Sequence, residues 1–264
     1  MMTPNAPDAP LIPGDPALVR AQYAVRVLRL YHRHRVLNAE GLPGGRFLLA
    51  VNHSLATYDV GMLGEAVYQA TGRIPRMLGD RALFSGPDKG RIIDLLGAIE
   101  ATPENCAAVL GSGQIAVVAP GGMREALRPS EERFTIRWDR RKGFVRLAMK
   151  TGSPIVLAAC PDADLLYTVY DNQLTKLVYK LARLPLPIIR GAGLSLLPRP
   201  VPLTHLLSEP LHPPSADPDD DDAVDAWHAQ VVERMNALMD EAHRLPREGF
   251  RGGWRPSSMG WREP

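Results

Sequence analysis

Disulfides, membrane spans and a strong charge are all missing from this sequence. Two cysteines, Cys106 and Cys160, cannot build a disulfide framework in 264 residues, and each sits among apolar neighbours as buried thiols do. A reducing, cytoplasmic compartment is therefore expected. Met1 to Pro13 has neither the basic start nor the apolar core of a secretory signal. No uninterrupted apolar run approaches the ~20 residues that cross a bilayer, so the chain is expected to lie on a membrane at most. The formal net charge is only +2, which leaves no global argument for nucleic acid. Signature loops are missing as well. No Gly-x-Ser-x-Gly elbow occurs, and Ser112 precedes the strongest strand where a nucleophile would follow it, which argues against a serine hydrolase. Neither a phosphate loop nor a dinucleotide glycine pattern is found. Asp219 to Asp222 run together without the alternating spacing of a cation loop, so no metal site is expected.

What is present points to a soluble core of class α/β. Apolar residues make up 45% of the chain, enough to fill one large domain. The expected organisation is a flexible N-terminus over 1–14, an amphipathic helix over 15–36, the main domain over 37–246 and a flexible tail over 247–264. Strand and helix patterns alternate from Phe47 onward. Phe47 to Val51 reads as a strand, Tyr58 to about Ala70 as a helix closed by Gly72, and Pro75 to Leu78 as a short strand. Helices follow from Arg91 to Leu96 and from Thr102, a side-chain cap ahead of Pro103. Gln114 to Ala119 is nearly all apolar, as a strand buried on both faces would be. A helix over Gly143 to Lys150 and a strand over Pro154 to Ala159 complete the alternation. It predicts a mainly parallel central sheet flanked by helices, with sites at the carboxyl ends of the strands. Pro198 to Pro214 holds six prolines, which predicts an edge strand there at most. Ala223 to Leu245 is a helix with Val224, Trp227, Val231 and Leu238 toward the core.

Two strand ends carry chemistry. Phe47 to Val51 runs into Asn52-His53, and Asp59 follows six positions on. Residues six apart on a helix point about 120° away from each other, so His53 and Asp59 meet only across an irregular turn at Ser54 to Ala56. With Thr57 as N-cap, Asp59 falls in the first turn of a helix, where a carboxylate is stabilised. Such a carboxylate can hold the imidazole and leave its other nitrogen basic; the alternative is a histidine satisfied by a nearby backbone carbonyl. The second end is Pro120-Gly121-Gly122, followed by Arg124 and Glu125. Glycines there let backbone N–H groups approach a ligand or an oxyanion; the alternative is a tight turn with surface charges.

Two stretches pair apolar and basic stripes. Along 15–36, Val19, Tyr23, Val27, Leu30 and Tyr31 share one side and Gln22, Arg26, Arg29 and Arg33 the other. Leu177, Leu181 and Leu184 oppose Lys176, Lys180 and Arg183. Both fit peripheral contact with an anionic lipid surface, and both fit ordinary surface helices.

Taken together, four blocks resemble the glycerolipid and lysophospholipid acyltransferase superfamily, in particular the branch of monoacylglycerol acyltransferases. They are Val51-Asn52-His53 through Asp59, Gly79-Asp80-Arg81-Ala82-Leu83-Phe84, Pro120-Gly121-Gly122-Met123-Arg124-Glu125, and the strand from Pro154-Ile155-Val156. The resemblance implies a glycerol-phosphate acyltransferase-like fold and acyl transfer to a lipid hydroxyl, with no bound cofactor. The donor would be acyl-CoA or an acyl carrier protein thioester. It also implies His53 as general base, oriented by Asp59, Arg81 and Phe84 on the acceptor, and Gly121, Gly122, Arg124 and Glu125 along the substrate pocket. Five residues separate His53 from Asp59 where the common family pattern has four, and the third block lacks the Thr and Ser of phosphate-binding relatives, which fits a neutral acceptor. The competing expectation is a non-catalytic lipid-binding or membrane-docking module of the same fold.

Overall fold

The computed structural model describes residues 6–11, 15–55, 58–80, 97–170 and 188–246. The expected helices at Arg91 to Leu96 and Thr175 to Pro187, the cap Thr57, the site residues Arg81 and Phe84, and the tail over 247–264 lie outside them.

The centre is β2 (Phe47–Val51), every residue of which is buried. Its neighbours are β5 (Ile115–Val118) and β6 (Ile155–Ala159), both parallel to it, with Leu48 opposite Ala116 on one side and Ile155 on the other. The described sheet has seven strands in the order β1-β9-β6-β2-β5-β3-β4. Here β1 is Arg35–Leu37, β3 Arg76–Gly79, β4 Ile99–Glu100 and β9 Thr204–Leu207. Only the β6–β9 pairing is antiparallel within it, so the mainly parallel α/β reading holds. A separate two-stranded ribbon joins β7 (Thr168–Tyr170) to β8 (Ile188–Arg190).

Strand residues alternate between two apolar layers, as the pleat requires. Leu48, Ala50, Ile155 and Leu157 pack with α3 (Pro103–Gly111), α5 (Gly143–Thr151) and α6 (Asp221–His243), through Val109, Val145, Trp227, Val231 and Leu238. Phe47, Leu49, Val51, Val156 and Ala158 face α2 (Tyr58–Thr71) through Val60, Leu63 and Val67. Local signals behaved as the residues dictate. Thr102 Oγ1 accepts the Asn105 N–H (3.1 Å) ahead of Pro103, and Gly72 takes φ 69° after α2.

Three expectations change. The first helix, α1 (Pro16–Tyr31), stops well short of Val36: Arg33 turns to φ 44° and the chain enters β1. Strand β9 is interior, flanked by β1 and β6. All six prolines lie outside Thr204–Leu207, so its backbone can pair on both sides. Residues 6–11 run against the sheet, where Arg76 Nη2 donates to the Ala6 carbonyl (3.3 Å) and Gln114 Nε2 to that of Pro7 (3.0 Å).

Candidate active site

Asn52 ties the end of β2 to the end of β6, donating to the Cys160 carbonyl (3.2 Å) and accepting its N–H (2.7 Å). That bidentate clamp fixes where the next residue leaves the sheet. His53 then sits half-buried, and its Nδ1 lies 2.9 Å from the Ser54 carbonyl. A carbonyl only accepts, so Nδ1 carries the proton and Nε2 keeps its lone pair. Burial is the first cause lowering its pKa from the usual histidine value, the Ser54 contact opposes it and the Arg128 charge adds to it. A neutral imidazole with a bare Nε2 is the form a general base needs.

The residue that orients the ring differs from expectation. Asp59, fully buried in the first turn of α2, accepts from Ser54 Oγ (2.8 Å), and its other oxygen faces His205 Nε2 at 3.8 Å. The Ser54 carbonyl occupies the ring nitrogen instead. The chain from His53 to Asp59 thus runs through Ser54. Burial raises the Asp59 pKa to about 6, with the Ser54 hydroxyl acting in the opposite direction.

The glycine turn does reach the same rim, through Glu125. Its Oε1 accepts the His53 N–H (2.6 Å), its Oε2 the Arg137 N–H (2.8 Å), and the side chain is wholly buried. Burial raises its pKa, and the His53 and Arg137 N–H groups counter that. Gly121 is small for this carboxylate: a Cβ there would stand 2.0 Å from Glu125 Oε2. Gly122, at φ 55°, opens α4 (Gly122–Ala126), and its N–H is already bonded to the Ala119 carbonyl (3.1 Å). The turn therefore makes room for Glu125 more directly than for a ligand. Arg124 points into solvent, because α4 directs Glu125 and Arg128 inward.

Arg128 and Asp164 complete the wall and were not foreseen. Arg128 Nη1 donates to the carbonyls of His53 (2.9 Å) and Glu125 (2.8 Å), and Nη2 pairs with Asp164. Asp164 also accepts the Phe134 N–H (2.8 Å), and burial is the main cause raising its pKa. The Glu125-x-x-Arg128 spacing was the available signal, since charges three apart share a helix face. Beside this wall a cleft opens between Leu55, Ser130, Arg133 and Tyr167. Among the described residues no cluster of His, Cys, Asp or Glu fits a metal ion, and no helix is long and apolar enough to cross a membrane.

A family model described as diacylglycerol acyltransferase matches residues 67–246. The chain belongs to the diacylglycerol acyltransferase family. The match takes in the glycine turn, Arg128 and Asp164, while His53 and Asp59 precede it. A mouse (Mus musculus) protein, DGAT1/2-independent enzyme synthesizing storage lipids, is 26% identical over 219 residues, covering 82% of this chain and 63% of the relative. Diacylglycerol O-acyltransferase 2B of Umbelopsis ramanniana is 25% identical, over 75% of this chain and 61% of that protein. The chain thus spans less than two thirds of these relatives. Among solved structures, the 1-acyl-sn-glycerophosphate (LPA) acyltransferase PlsC from Thermotoga maritima has the same fold, with a TM-score of 0.52, 14% identity, and coverage of 82% of this chain and 77% of that one. Membership of the family agrees with the resemblance carried by the four sequence blocks.

Proposed function

We propose that this member of the diacylglycerol acyltransferase family moves an acyl group from a thioester, acyl-CoA or acyl carrier protein, to a hydroxyl of an acylglycerol or lysolipid. The observation that carries the reading is the His53 ring, fixed by the Ser54 carbonyl with Nε2 bare at the carboxyl end of β2. Nε2 takes the proton of the acceptor hydroxyl as its oxygen attacks the thioester carbonyl. The tetrahedral intermediate collapses with loss of the thiolate, which recovers the proton from the imidazolium. Glu125 and Arg128 hold the His53 backbone; Gly121 and Gly122 shape that turn, and Arg124 stands at its solvent side. Asp59 stabilises the loop, and Arg81 with Phe84 engages the acceptor. Free-thiol release from a panel of acyl donors, with lysolipids, mono- and diacylglycerols and simple alcohols as acceptors, tests this. His53→Ala should lower turnover about 100-fold or more while the protein stays folded. Equal turnover in parent and variant overturns the reading, and no thiol release from any donor would select the non-catalytic lipid-binding module.

The membrane contact works through the exposed apolar side chains of α1. Arg26 is bonded to Glu65 (2.8 Å) and Arg29 to Gln69 (2.8 Å), so the basic side is turned onto α2. Tyr23, Val27 and Leu30 are 63%, 65% and 79% exposed. Tyr31 OH donates to the Pro198 carbonyl (3.0 Å), which sets the exposed Leu194, Leu196 and Leu197 beside that face. Exposed apolar side chains of this kind, with Arg20 and Arg26 among them, seat in a lipid surface. Vesicle flotation should survive added salt and be lost in Val27→Asp/Leu30→Asp; loss with salt alone would restore the electrostatic reading.

A further inference from the structure

A chain of side chains crosses the interior from α1 to the candidate base, and one arginine assigns the protons of the two histidines in it. Arg29 Nε donates to His34 Nδ1 (3.2 Å). A guanidinium has no acceptor, so His34 Nδ1 must be bare. Its ring is neutral, because burial, first, and then the neighbouring His205 lower its pKa to about 2. Its proton therefore sits on Nε2, 2.8 Å from His205 Nδ1. His205 Nδ1 accordingly accepts, and this ring too is neutral, its pKa lowered by burial to about 3. Its own proton is left on Nε2, which faces Asp59 Oδ2 at 3.8 Å. That oxygen is buried and makes no hydrogen bond among the described residues. The link is an electrostatic contact longer than a hydrogen bond. Asp59 Oδ1 takes the Ser54 hydroxyl proton (2.8 Å), and the Ser54 carbonyl takes the proton of His53 Nδ1 (2.9 Å).

We propose that Arg29, His34 and His205 are positioning residues for the reaction: a one-way chain of donors that ends in an electrostatic contact with Asp59, running from α1 through His34, just before β1, to β9, and that holds Asp59 and, through Ser54, the tautomer and placement of His53. The proposal rests on the reading of His53 as the base. It joins the helix that carries the lipid-facing patch to the reacting end of the sheet.

A bystander role for these buried rings predicts equal damage from any polar replacement; the donor chain predicts an unequal one. In His205→Gln the amide nitrogen can take the place of Nε2 and still donate toward Asp59. In His205→Asn the amide stops at the position of Nδ1, where it meets His34 and leaves Asp59 Oδ2 without the N–H that faces it. With the full chain, His205→Asn should lower kcat about 10-fold or more with KM little changed, while His205→Gln stays within about threefold of the parent, less than a single misplaced contact costs. Nitrogen-15 spectra of the parent should show His34 and His205 as neutral rings protonated on Nε2, and Arg29→Met should redistribute the His34 tautomer. Equal kcat losses in both variants overturn the proposal, and so does an Nδ1-protonated His205. If neither variant folds, the ring spectra of the parent and of Arg29→Met decide. Should His53→Ala keep full turnover, the reading of the base falls, while those spectra still accept or reject the chain by themselves.

Discussion

The two walls that hold the His53 loop are built differently. On the β5 side, Glu125 spends both oxygens on backbone N–H groups, and Arg128 bridges His53, Glu125 and Asp164. On the α1 side, Asp59 has one bonded oxygen and one facing His205 across 3.8 Å. The first wall bonds both Glu125 oxygens and both terminal nitrogens of Arg128, leaving Arg128 Nε without a hydrogen bond among the described residues, and acts as scaffold. The second leaves a carboxylate oxygen with a single long electrostatic contact, and the proposed link from α1 to His53 runs through it. Buried polar groups with every bond made rigidify a site, whereas partly made ones leave room for adjustment.

The sharpest way to break this contrast is Glu125→Ala. It removes the acceptor of two buried N–H groups and the charge beside Arg128, and should cost about 3–5 kcal/mol in urea unfolding. A loss below about 1 kcal/mol, the size of one ordinary hydrogen bond, would mean the wall is no scaffold.

On the other side, Asp59→Asn probes a carboxylate whose folded pKa, about 6, lies above its ordinary 3.8. The folded state then binds the proton more tightly than the unfolded chain. The stabilisation from Asp59 is complete below pH ~4 and is lost as pH rises through about 6. The parent should thus lose about 3 kcal/mol relative to Asp59→Asn between those limits, read from unfolding curves at several pH values. A flat difference would place the ionised carboxylate in a better-paired setting than the geometry indicates. The histidines act with the opposite sign. His34 and His205, with lowered pKa values, contribute stability above about pH 6.5 that is lost as pH falls toward their folded values, so only the difference between the two proteins isolates Asp59.

Arg128→Met separates the roles within the first wall. It should cost about 3 kcal/mol or more by leaving Asp164 and Glu125 without a counter-charge, unless protonation of these carboxyls relieves part of it. Stability gained on lowering the pH in the variant alone would confirm that origin. The smallest effect belongs to the outer surface of α1. Val27→Ser and Leu30→Ser should change stability by less than about 0.5 kcal/mol, as exposed substitutions do, while vesicle flotation falls.

Much of this was legible in the residues. The runs at Phe47, Ile115 and Ile155 announced strands buried on both faces, and the strand ends marked the rim where His53 and Glu125 meet. Helix α6 follows its pattern, with Trp227, Val231 and Leu238 inward. Helix α1 does not, and the comparison shows why. A wheel ranks the sides of a helix but does not name what lies beneath them, and Glu65 and Gln69 of α2 offered partners for arginines. The same limit hid the Asp59 partner. His205 comes from a strand far along the chain, in a proline-rich stretch that reads as an edge. Glu125 was expected along the substrate pocket, or as surface charge, for a related reason: the N–H donors it satisfies belong to residues distant in sequence.

The pairing of β1 with β9 also sets an order of assembly. Arg35 lies opposite Thr204, so the first strand of the described sheet has no neighbour until the last one has been synthesised. Helix α1 meets Glu65 and Gln69 of α2 much sooner. The helix can therefore settle on its neighbour while the strand that follows it still waits for the last part of the sheet.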